Sequence, residues 1–188
     1  MDMITVEKRN AMTKTKELRR AGIIPCVIYG GALKESVSVQ MEKSSANKLF
    51  NQKREGSKIK IQMDNQVIPV QIKEKTWNFL KSEIIHISFQ ALKADQKVNS
   101  VTHILLQNAD KIAGTLEKML LEIPYSALPA DMIDTITVDL DGMPVGSALT
   151  VGDIVEFQSE KVEINVDKDS IIFRINDKKM VTEEVAAE

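Results

Sequence analysis

Lys16, Arg19 and Arg20 stand at i, i+3 and i+4, the spacing that puts three cationic side chains on one helix face. With Lys8, Arg9 and Lys14 they make six cations against one acid, Glu17, between residues 8 and 20. Such a helix repels itself. A row of phosphates would relieve the repulsion; a solvated charged face is the plain alternative. The segment continues past Gly22, placed to stop the helix, and Pro25 into an apolar strand, Cys26-Val27-Ile28-Tyr29, which ends at the turn pair Gly30-Gly31. A cationic surface is thereby tied to a core strand.

The other residues that could do chemistry are few. Cys26 is the sole cysteine, so neither an internal disulfide nor a cysteine-based metal site can form. Paired with a histidine it could be a nucleophile and its base. Its place between Pro25 and Val27 reads better as a buried structural thiol. His86 and His103 lie 17 residues apart, without metal-ligand spacing, and no phosphate loop or dinucleotide fingerprint occurs. No cofactor, metal, small-molecule substrate or catalytic residue is expected. Tyr29 sits beside two glycines, where a backbone or ligand can approach closely. His86 lies in the apolar run Ile84–Phe89 and faces opposite to Ile85 and Ile87. Tyr29 could simply cap the core and His86 be a satisfied, half-buried histidine, or both could stack and hydrogen-bond on an outer surface.

The elements that must hold these residues follow from composition and periodicity. The chain has 188 residues, 43% of them apolar and only 4% aromatic, so its cores are built from Ile, Val, Leu and Met. The net charge of −2 conceals a division. Residues 1–93 carry 17 Lys and Arg against 9 Asp and Glu; residues 94–188 carry 8 against 18. A polyanionic partner is expected for the first half and not for the second. No charge-free run approaches the ~20 residues that span a bilayer. The start, MDMITVEKRN, lacks the apolar segment of a signal peptide. The expectation is a cytoplasmic protein with no membrane partner.

Alternation predicts strands at 4–6, 36–41, 58–62, 67–73 and 84–89, with the strand at 26–29 making six. Ala46, Leu49 and Phe50 give residues 42–51 one apolar helical face. Pro69 predicts an edge or a bulge, and residues 77–82 read as a loop. This suits a small β-barrel over residues 1–93. Residues 94–99 are polar and suit a linker. Residues 94–176 form an acidic, mostly β domain, with a strong alternating strand at 133–140. Residues 115–123 fit helix or strand equally. Strands at 162–166 and 171–175 are expected to pair around 167–170. The tail, 177–188, is charged and aperiodic, as disordered segments are.

The run ELRRAGIIPCVIYGG resembles the signature of the bacterial 5S-rRNA-binding ribosomal protein family, large-subunit protein twenty-five, in its two-domain form called general stress protein Ctc. IIHISF, with His86 57 residues beyond Tyr29, resembles that family's H-I-D-F strand. ALPADMIDTITVDLDGMPVGSALTVGDI resembles the pattern of its C-terminal domain. The similarity covers residues 3–176 in the same order. It implies a mainly β protein with short helices. An N-terminal six-stranded barrel would grip the loop E region of 5S rRNA on the large ribosomal subunit, and a C-terminal mostly-β domain would face solvent or neighbouring ribosomal proteins. It also implies that Arg9, Lys14, Lys16, Arg19, Arg20, Tyr29, Lys73 and His86 face the RNA. The chain departs from the pattern at Glu17, at Trp77-Asn78-Phe79 in place of R-H-P, and at Ser88 in place of aspartate. Two other classes stay open: a stress-related protein-interaction module with weakened or lost rRNA binding, and a cysteine-dependent hydrolase.

Overall fold

The computed structural model describes residues 3–10, 12–159 and 161–177. The expectation for the tail falls almost wholly outside them. Six strands close a barrel in the order β1-β3-β2-β6-β5-β4. They are β1 (Met3–Lys8), β2 (Ile23–Tyr29), β3 (Val37–Glu42), β4 (Lys58–Met63), β5 (Gln66–Asn78) and β6 (Glu83–Ala91). β1 closes on β4, and β2 lies on β6, in parallel; the remaining neighbours are antiparallel. Alternation explains the core. Ile24, Cys26 and Ile28 of β2, Val39 and Met41 of β3, and Ile59 and Ile61 of β4 point inward and are buried.

Two helices finish this half. The basic helix α1 (Thr15–Arg20) packs on β2, burying Leu18 and leaving its cations outside. Helix α2 (Lys43–Gln52) sends Ala46 and Leu49 into the barrel core. Its C-terminus is held by Lys75, whose Nζ donates to the carbonyls of Phe50 at 3.2 Å and Lys53 at 2.7 Å. The same ammonium stands 4.5 Å from the Phe50 ring centroid, a cation–π contact.

β5 differs from its sequence expectation. It runs 13 residues, through Trp77 and Asn78, where the sequence predicts a loop. Pro69 carries no bulge. Its carbonyl accepts from Leu92 N–H at 2.9 Å, so its missing donor faces the same side, just before the first β6 pair, Val70↔Ala91. The irregularities lie further on, between Ile72 and Glu74 and between Thr76 and Trp77. Lys73 is the extra residue in the first. In the second, Ile85 is extra on β6, so Ile84 and Ile87 are both buried while Ile85 leaves the core.

The second half is also β. β7 (Val98–Gln107), β9 (Glu122–Ala127), β10 (Thr135–Asp139) and β12 (Val162–Ile164) form a sheet in the order β10-β7-β9-β12. β11 (Ala148–Thr150), β13 (Ile171–Asn176) and β8 (Thr115–Lys118) form another in the order β11-β13-β8. Residues 115–123 resolve into β8 and the start of β9. β12 and β13 do not pair with each other: β12 lies on β9, and β13 between β11 and β8. The turn at 167–170 crosses between sheets that share one core, including Ile123, Tyr125, Ile172 and Phe173. Tyr125 is fully buried, yet its hydroxyl is satisfied, donating to Ile133 O at 3.0 Å and accepting from Ile133 N–H at 2.8 Å.

Val98 and Asn99, expected in a linker, already belong to β7, which docks on the barrel. Ser100 Oγ donates to Gly56 O at 3.2 Å, and His103 Nε2 donates to Glu55 O at 2.9 Å. Lys58 Nζ reaches Pro129 O at 2.6 Å. Gly56 has φ +84°, and a Cβ there would lie 2.2 Å from Val101 O. Only glycine fits so close an approach of two backbones.

Candidate nucleic-acid interface

Register builds one polar row on the outside of the barrel. Residues directly paired across strands share a face. Thr76 pairs with His86, and Glu74 with Ser88; Ser88 in turn pairs with Val27, and Gln90 with Tyr29. Glu74, Thr76, His86, Ser88, Gln90 and Tyr29 therefore stand side by side on β5, β6 and β2. Ser88 Oγ lies 3.4 Å from His86 Nδ1, and Thr76 Oγ1 donates to Glu74 Oε1 at 3.3 Å.

Charges reach this row from Arg9, just past the end of β1, and from α1. Burial pushes the His86 pKa below its ordinary value; Glu74 opposes that shift, and Arg9 and Arg19 reinforce it. Burial, then Glu74, raises the Tyr29 pKa. Near neutral pH both rings are uncharged, with groups able to donate or accept hydrogen bonds. Arg9 is held by β3 and by its own turn: its backbone N–H donates to Ser38 O at 3.0 Å and its guanidinium to Thr13 O at 3.5 Å.

Beside the row lies a cleft of about 240 Å³ lined by Lys16, Arg19, Arg20, Asn78, Lys81, Glu83 and Ile85. Arg19 belongs to both features: it lines the cleft and its charge acts on His86. The structure thus brings Arg9, Lys16, Arg19, Arg20, Tyr29 and His86 to adjoining surfaces. Lys14 is exposed at the N-cap of α1, with no side-chain capping bond. Glu17 is exposed in the first turn of α1, where a negative charge suits the helix dipole. Lys73 is directed elsewhere. Its ammonium donates to Asn99 O at 3.2 Å, towards the second domain.

Sequence reasoning missed Glu74, Thr76, Gln90, Asn78 and Lys81. The alternation Glu74-Lys75-Thr76 is the signal for the first two, hidden because the bulge at Lys73 reverses the facing of the residues beyond it. Cys26 is buried, with its pKa pushed up to about 12 by desolvation. A buried thiol held protonated is a poor nucleophile near neutral pH, which argues against the hydrolase alternative.

Two family models match the chain: the ribosomal L25p family over residues 4–89, and the C-terminal domain of ribosomal protein TL5 over residues 97–179. Among similar proteins, the large ribosomal subunit protein bL25 of Nitrosomonas europaea is 33% identical over 156 residues, covering 79% of this chain and 77% of its own. The protein of the same name from Caldicellulosiruptor bescii is 29% identical over 191 residues, covering 99% and 94%. That from Dictyoglomus turgidum is 29% identical over 193 residues, covering 97% and 92%. With one family model spanning the barrel and a relative one-third identical along most of both sequences, the chain belongs to the ribosomal L25p family.

Proposed function

We propose that this chain is a non-enzymatic component of the large ribosomal subunit whose barrel, residues 1–93, binds the loop E region of 5S rRNA in the cytoplasm. The observation that carries this reading is the convergence at Arg19 of the cationic cleft and the His86–Tyr29 row. Cations displace counterions from phosphates and give affinity. His86, Tyr29 and Gln90 present hydrogen-bonding edges to a wide, shallow minor groove and fix register. The acidic half, residues 94–176, turns away from phosphate and faces solvent or neighbouring ribosomal proteins.

Glu74, in the middle of the row, favours a second reading: a stress-related protein-interaction module with weakened or lost rRNA binding. Binding of the full chain to 5S rRNA separates the two. Under the first reading Arg19→Glu weakens the complex far more than Glu156→Lys on the acidic half. Equal effects, or no wild-type complex, would reject it.

A further inference from the structure

We infer that the tip of the β5–β6 hairpin, led by Phe79, is a stacking element for an unpaired nucleobase of the RNA whose phosphates occupy the adjoining cationic cleft. This rests on the RNA-binding reading above and adds to it a base contact outside the His86–Tyr29 row.

Phe79 is 86% exposed and Leu80 97% exposed, next to each other in one short turn. Single exposed apolar residues are ordinary on any surface. This pair is held in place. Asn78 Oδ1 accepts from Leu80 N–H at 3.0 Å and from Lys81 N–H at 3.2 Å, fixing the turn from within. Asn78 itself closes the ladder opposite Glu83, and Trp77 before it packs on Phe50 with ring centroids 5.1 Å apart. The tip is therefore anchored through Trp77 and ordered before any partner arrives, which lowers the entropic cost of binding.

The surroundings choose the partner. The residues on either side of the tip, Asn78 and Lys81, line the cleft together with Lys16, Arg19 and Arg20, against the single acid Glu83. Two side chains offer far less than the ~1,000 Å² that a specific protein interface needs. They do offer one aromatic face beside a phosphate-binding surface, the combination that holds a splayed base. Leu80 can pack at the edge of that base.

The test is equilibrium binding of the full chain to 5S rRNA for the wild type, Phe79→Ala and Phe79→Trp, each across a salt series. Thermal melts of the free proteins should coincide, because the side chain is 86% exposed. The expected result is a loss of about 10-fold for Phe79→Ala with the wild-type salt slope. Affinity should be kept in Phe79→Trp, with indole emission quenched on binding. A wild type that binds while Phe79→Ala binds equally overturns the inference alone; so does a Phe79→Ala effect seen only on association with ribosomal proteins, which would assign the tip to a protein partner. A wild type that binds no 5S rRNA overturns both this inference and the reading beneath it.

Discussion

Removing one cation from the cleft should change how binding responds to salt as well as its strength. Lys16, Arg19, Arg20 and Lys81 line the cleft, all on one side of the barrel. If each neutralises one phosphate, four counterions are released, and log K falls against log salt with a slope of about −3. Between 50 and 200 mM salt the affinity should then drop by about 60-fold. Arg20 is exposed, and no ion pair to it occurs among the described residues. Arg20→Gln should therefore leave the fold intact and make the slope shallower by about 0.8. Filter binding or fluorescence anisotropy with 5S rRNA at four salt concentrations reads both quantities. A wild-type slope shallower than about −1, or an unchanged slope in Arg20→Gln, would refute the assignment of the cleft to phosphates.

Two further outcomes follow from the junction and from His86. Gly56→Ala should cost about 3 kcal/mol in urea unfolding, from left-handed backbone strain and displacement of β7; an unchanged midpoint would mean that the two halves do not meet as described. His86 has a folded pKa below its ordinary 6.5, so the stability it contributes is present above 6.5 and lost as pH falls through the folded value. His86→Gln should flatten the difference in stability between pH 7.5 and pH 5; an identical pH profile in the variant would show that the ring titrates freely in the folded state.

Local residue pattern is enough to specify the elements of the barrel and much of its core. Ile59 and Ile61 alternate with Lys58 and Lys60, and a half-buried strand is the local answer to that pattern. Gly22 ended the basic helix as expected, at φ +78°. Cys26 was legible as a core thiol from its apolar neighbours. The rest depends on strand pairing, which is non-local. Nothing in residues 162–175 says that β12 lies on β9 while β13 joins the other sheet; each strand pattern is satisfied by any partner that completes a core. Bulges are equally hidden, since one inserted residue reverses which side chains face out. The insertion at Lys73 directed its ammonium to Asn99, and it carried Glu74 and Thr76 onto the row beside His86. The six candidate residues that do adjoin one another lie just past β1 and on α1, β2 and β6, and closure of the barrel is what brings those elements together.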